Sequence, residues 1–118
     1  PDTYTRNSVG YTGTHDNVTT EGWRATASPE DVHYACRYLR CTPKDLTEAM
    51  IAACLSCVSD MAIIPMADWL HLGAEARINT PSTQGSNWQW RLTTPLTSLL
   101  ADHIADLTAL YDRAPAAE

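Results

Sequence analysis

Apolar residues recur at spacings of three and four through the middle of the chain. Leu46, Met50, Ala53, Cys54, Cys57, Val58 and Met61 fall on one stripe of a 3.6-residue period and predict a helix. Its start signal is Thr42-Pro43-Lys44-Asp45. Ile51, Ala52 and Leu55 add apolar surface on the other sides, so this helix is expected to be covered on more than one face. A helix over 28–40 precedes it: Ser28 suits the N-cap, Pro29 the first turn, and Glu30 and Asp31 the positive end of the helix dipole. A last helix places Leu96, Leu99, Leu100, Ile104, Leu107, Leu110 and Tyr111 on one face, with Asp102 and Asp106 opposite. Two short β-branched or aromatic runs read as strands. Val9-Gly10-Tyr11-Thr12 is the first. Ala62-Ile63-Ile64-Pro65-Met66 is the second, suited to burial on both faces, with Pro65 at its end. Residues 1–8 read as irregular, 67–95 as mostly loop, and 114–118 as a fraying tail.

The order strand, helices, strand, loop, helix implies a parallel sheet. Two parallel strands do not make a stable sheet by themselves. Either strands escape the pattern, or the chain is part of a larger α/β structure. Two βα units and a long loop fit the closing quarter of a (β/α)₈ barrel, so the expected organisation is a single incomplete domain over 1–118.

Composition narrows the partners. The chain has 118 residues, 8 basic and 14 acidic side chains and a net charge of −6. It holds one lysine and no basic stripe, so a nucleic-acid partner is not expected. No apolar run is long enough to span a bilayer, so no membrane partner is expected. The chain opens with Pro1 rather than Met and has no apolar leader, which reads as an internal start.

Cys36, Cys41, Cys54 and Cys57 have spacings that zinc thiolates also show. However, the closer pair sits in Ala-Cys-Leu-Ser-Cys-Val, inside an apolar helical pattern rather than on a tight turn. Core thiols are the preferred reading, with a zinc-stabilised module or a disulfide as the alternatives. Core thiols suit a reducing compartment, and a cytoplasmic location is expected. No metal site and no cofactor are expected.

The chemistry concentrates in two segments. Tyr11-Thr12-Gly13-Thr14-His15-Asp16-Asn17 puts a His-Asp pair just past a strand end, where barrel enzymes gather their catalytic groups. In extended backbone, adjacent side chains point apart, which argues against a dyad; in a turn, both can face a ligand. The competing reading is a polar turn in which Asp16 or Asn17 caps the backbone. The second segment runs from Gly73 to Arg91 and mixes Asn, Arg and Trp in a long loop, a generic sugar-binding composition. Its plain reading pairs Glu75 with Arg77 or Arg91, and buries at least one of Trp88 and Trp90 as an anchor. His33, His71 and His103 read as partly exposed surface residues.

Together these blocks resemble a known family. Tyr11-Thr12-Gly13-Thr14-His15-Asp16-Asn17 with Gly22-Trp23 is similar to a block of the 4-α-glucanotransferases, the amylomaltases or disproportionating enzymes. Ile64 to Asp68, Leu72 to Pro81 and Gly85 to Leu92 resemble the blocks that follow, in the same order. The resemblance implies a (β/α)₈ barrel of which this chain holds the seventh and eighth units, with the rest expected N-terminal to Pro1. It implies transfer of α-1,4-glucan segments between maltodextrins with retention, through a covalent glycosyl-enzyme. Retention uses a nucleophile and an acid/base close together, and the family carries both on earlier strands. Asp16 matches the third carboxylate, His15 a donor to the same sugar, and Asn79 a residue lining the donor side. Arg77 is expected to brace the loop. The chain departs from the family pattern at Val18, where Asp is usual, at Ile78, where Met is common, and at Ser82, where Gly is common. A non-catalytic glucan-binding or degenerate barrel fragment is the alternative.

Overall fold

A computed structural model describes residues 1 and 3–116. The expectations of an irregular start at Asp2 and a fraying end at Ala117 and Glu118 lie outside these residues. Strand β1 (Val9–Tyr11) is followed by helices α1 (Thr20–Thr26), α2 (Pro29–Leu39) and α3 (Leu46–Ser56). Strand β2 (Met61–Ile63), the short helix α4 (Met66–Trp69) and the last helix α5 (Ser98–Leu110) complete the order. The strands pair in parallel, with Val9 opposite Met61, Gly10 opposite Ala62 and Tyr11 opposite Ile63. This is a mixed α/β arrangement.

Period-two alternation splits the strand pair into two unlike faces. Gly10 and Ala62 face α3. A β-carbon at Gly10 would lie 3.0 Å from Cys57 Sγ and 3.8 Å from Cys54 Sγ, so the missing side chain lets the helix sit close. Val9, Tyr11, Met61 and Ile63 point the other way and remain 42–55% exposed. The expectation that the second strand is buried on both faces is therefore corrected for this chain, because none of the described residues covers that side. β2 also ends before Ile64, and Pro65 stands at the N-cap of α4.

Capping explains α2 well. Ser28 Oγ accepts from the Asp31 N–H at 3.2 Å. At the other end Arg40 adopts left-handed backbone (φ 56°), and the Cys41 N–H reaches the Cys36 carbonyl at 3.0 Å. That closing pattern brings residues 36 and 41 together, which is why their thiols are neighbours. Burial, then the adjacent Cys36 thiol and Asp45, push the Cys41 thiol up. Burial and the Cys57 thiol push Cys54 up, against the pull of Arg113. All four cysteines are free, with Cys36 and Cys54 buried. Among the described residues no group of three or more His, Cys, Asp or Glu is placed to hold a metal ion.

As expected, α3 is covered on more than one face: Leu46 and Cys54 of the stripe are buried, and so are Ile51 and Leu55 off it. Ile51, Leu55 and Trp69 form one core cluster, packed by Leu100, Ile104, Leu107 and Tyr111 of the last helical segment. Ile51 and Leu55 are the residues set apart from the predicted stripe, whereas Val58 and Met61 lie beyond the end of α3 and are more than half exposed. A helix that is apolar all round offers no single face to select. In the last helical segment, α5 and its flanks, residues 100, 104, 107 and 111 face inward, while Leu96, Leu99 and Leu110 are 60–79% exposed.

Helix α1 has no counterpart in the sequence reading. Its interior Gly22 and its threonines argue for a loop, but Thr19 Oγ1 accepts from the Gly22 N–H at 3.1 Å and starts it. Glu21 then fixes it to α3 by accepting from Thr47 Oγ1 at 2.9 Å, and within α1 Arg24 donates to the same carboxylate at 3.0 and 2.7 Å. Burial raises the Glu21 carboxyl, but the bonds from Arg24 and Thr47 and the charges of Arg24 and His71 outweigh it, holding the group below its ordinary value of 4.5. A depressed carboxyl contributes stability that is present above its ordinary value and is lost as pH falls through the lowered one. Acid unfolding of the full-length protein, followed by circular dichroism, is expected to be less steep below pH 4.5 in Glu21→Gln. Superimposable acid limbs would remove Glu21 from that role.

Glu48 adds a polar tie on the same side. His71 Nε2 lies 2.6 Å from one of its oxygens and His103 Nε2 3.1 Å from the other. Both rings are partly exposed, as expected, at 44% and 42%.

Candidate functional site at the strand ends

The loop after β1 turns at His15 and Asp16. Asn17 makes that turn: its Oδ1 accepts from the Thr14 N–H at 2.8 Å and from Thr14 Oγ1 at 3.0 Å. The backbone-capping role therefore belongs to Asn17 and leaves the Asp16 side chain for other contacts. The turn also brings the two neighbours together, His15 Nε2 lying 3.3 Å from Asp16 Oδ1. Extended backbone, the premise of the argument against a dyad, is absent there. With side chains 53% and 48% exposed, the pair is a weak electrostatic contact in water.

The segment after β2 closes over this turn. Asn79 Nδ2 donates to Asp16 Oδ1 at 2.8 Å, and the Asn79 N–H donates to the His15 carbonyl at 3.1 Å. Arg77 donates from Nη2 to the Asp16 carbonyl at 2.7 Å and from Nε to the Asn79 carbonyl at 3.0 Å. Arg77 thus braces the loop as expected, through carbonyls on both segments. The expected ion pair from Glu75 does not form among the described residues; Glu75 Oε1 accepts from the Gly73 N–H at 3.0 Å instead. Arg91 turns to the Trp90 carbonyl at 2.9 Å.

The structure thus gathers His15, Asp16 and Asn79 at one place. Asp16 Oδ1 is held, and among the described residues no donor reaches Oδ2. A carboxylate with one fixed oxygen and one open one can accept hydrogen bonds from a polyol. A cleft of about 530 Å³ opens alongside, lined by His15, Thr14, Pro65, Ile78, Trp90 and Tyr11 among others. Asp16 and Asn79 are not among its lining residues.

Of the two tryptophans, Trp88 is 57% exposed, whereas Trp90 is partly buried and lines the cleft. The Trp88 ring lies over His15, with centroids 5.0 Å apart, and the Trp88 backbone N–H donates to the Ile78 carbonyl at 2.7 Å. Trp88 does this with left-handed backbone (φ 65°), a conformation no residue pattern announces. Ser82 is also left-handed (φ 63°), which gives the glycine common at that position a physical reason.

A family model for 4-α-glucanotransferase matches residues 1–97. The chain belongs to the 4-α-glucanotransferase family. A 4-α-glucanotransferase of Clostridium butyricum is 43% identical over 116 residues, covering 96% of this chain and 24% of the relative. A chloroplastic/amyloplastic 4-α-glucanotransferase of Arabidopsis thaliana is 41% identical over 118 residues, covering 96% of this chain and 20% of that protein. The solved amylomaltase of Streptococcus agalactiae in complex with acarbose is 36% identical, with a TM-score of 0.91 over 98% of this chain and 24% of its own. The chain therefore spans a quarter or less of the length of these family members. No helix among the described residues is long and apolar enough to cross a membrane. The Arabidopsis relative's plastid designation shows that members are not confined to the cytoplasm.

Proposed function

We propose that these residues close the (β/α)₈ barrel of a 4-α-glucanotransferase as its seventh and eighth βα units. The intact protein moves α-1,4-glucan segments between maltodextrins with retention, through a covalent glycosyl-enzyme. One observation carries the reading: Asp16 stands past the end of a parallel strand with Oδ1 held by Asn79 and Oδ2 open. Barrel enzymes collect their reacting groups at that end of the strands.

Two features of the surface support an unfinished barrel. The strand face formed by Val9, Tyr11, Met61 and Ile63 is apolar and exposed, as the inward face of a barrel would be before the other strands close it. The accessible surface is 8219 Å², against about 6300 Å² for a self-contained protein of this mass.

In this reading Asp16 accepts hydrogen bonds from hydroxyls of the reacting glucose, and His15 donates to the same ring. Such contacts accelerate the reaction to the extent that they tighten as the ring flattens toward the oxocarbenium ion. Asn79 keeps Asp16 in place and lines the donor side. The nucleophile and the acid/base belong to earlier strands, and the chemistry runs on carboxylates without a cofactor.

The 118-residue chain by itself is therefore expected to leave maltotriose unchanged, whereas the full-length protein disproportionates it into glucose and longer maltodextrins. Chromatography of the sugars reads both results. Turnover by the chain alone would defeat the assignment of the missing carboxylates.

A further inference from the structure

We propose that Asp68 is a positioning residue that clamps both ends of the loop carrying His15 and Asp16. This rests on the reading of that loop as part of a glucan site. Asp68 lies in α4, just past β2, and is 3% exposed. Its three side-chain hydrogen bonds all go to the neighbouring unit. Thr12 Oγ1 donates to Oδ2 at 2.6 Å. The Thr20 N–H donates to Oδ1 at 2.9 Å, and Thr20 Oγ1 donates to Oδ2 at 3.0 Å. Thr12 is the first residue past β1 and Thr20 the first of α1, so one carboxylate joins the two points between which the loop is strung.

Among the described residues no lysine or arginine pairs with Asp68. Burying a carboxylate without a cation is costly unless hydrogen bonds replace its water, and an apolar side chain would serve packing alone at lower cost. What the carboxylate adds is a fixed distance between the two loop ends. Arg77 and Asn79 hold the tip of the same loop from further along the segment that contains Asp68. The loop is thereby gripped at its ends and its tip by one stretch of chain, and the height of Asp16 above the strand ends is set by Asp68.

The test uses the full-length protein with maltotriose, and hydrogen exchange read by mass spectrometry. Asp68→Ala is expected to lower kcat about tenfold or more with KM within about threefold, because a misplaced group costs the chemical step more than binding. Asp68→Asn, which keeps an acceptor for the Thr20 N–H and the same shape, should recover most of that rate. Exchange in Asp68→Ala should rise in peptides covering 12–20 and stay unchanged over 46–56. Thr12→Val should give a smaller loss in the same direction, and it decides the matter if Asp68→Ala does not fold. Faster exchange everywhere with an unaltered kcat per folded molecule, or faster loop exchange with unaltered kcat, overturns the proposal. Failure of the unsubstituted protein to transfer glucan would instead defeat the functional reading, with the exchange data still deciding whether Asp68 holds the loop.

Discussion

In the full-length protein, Asp16→Asn is expected to lower kcat for maltotriose disproportionation by about three orders of magnitude or more, with little change in stability. The substitution is nearly isosteric. An asparagine keeps a carbonyl oxygen to accept from Asn79 Nδ2, so the present 2.8 Å bond has a counterpart. The bond from Arg77 goes to the backbone carbonyl of residue 16 and is indifferent to the side chain. The contact with His15 goes to Oδ1, the oxygen that Asn79 also binds, and loses only its charge; it is a half-exposed 3.3 Å pair, which contributes little to folding. What disappears is the negative charge at Oδ2, the oxygen left open to a sugar. Rates in the variant within tenfold of the unsubstituted enzyme, with both unfolding at the same temperature, would exclude Asp16 from the mechanism.

The position of this carboxylate was legible from the sequence because strand, turn and polar loop follow one another locally. A β-branched and aromatic run ends at Tyr11, Gly13 breaks it, and the His-Asp pair follows directly. Helix α2 was legible for the same reason, since Ser28, Pro29 and the two acids act within one turn. What escaped depends on residues far apart. The Asn79 bond to Asp16 spans 63 positions, and the Asp68 bonds to Thr12 and Thr20 span 56 and 48. No local spacing encodes such pairs. Helix α1 escaped because its stability comes from Glu21 reaching Thr47, which overrides a weak intrinsic propensity. The inward face of α5 was drawn too wide for a related reason. Leu96, Leu99 and Leu110 share the apolar pattern of Leu100 and Ile104, and only the position of α3 tells them apart.

Arg77→Ala should lower kcat by about a hundredfold, the scale expected when a reacting group moves by about 1 Å. Arg77 is the sole side chain that binds the backbone of both loops at once, among the described residues, through the carbonyls of Asp16 and Asn79. Without it, the bond from Asn79 to the Asp16 carboxylate joins two segments that can drift together, so Oδ1 keeps its partner while the pair shifts relative to the strand ends. The loss is expected in kcat, with KM changed little, since a sugar can still find hydroxyl partners in a displaced site. Arg77→Lys separates charge from geometry. An ammonium supplies the same charge but cannot present two divergent N–H groups from one rigid plane. Lysine should therefore restore a small part of the rate. Full recovery with lysine would mean that positive charge near Asp16, rather than the fork between two carbonyls, is what the site requires. An alanine variant with unchanged kcat would show that Asn79, the Asn17 turn and the Asp68 clamp hold Asp16 without Arg77.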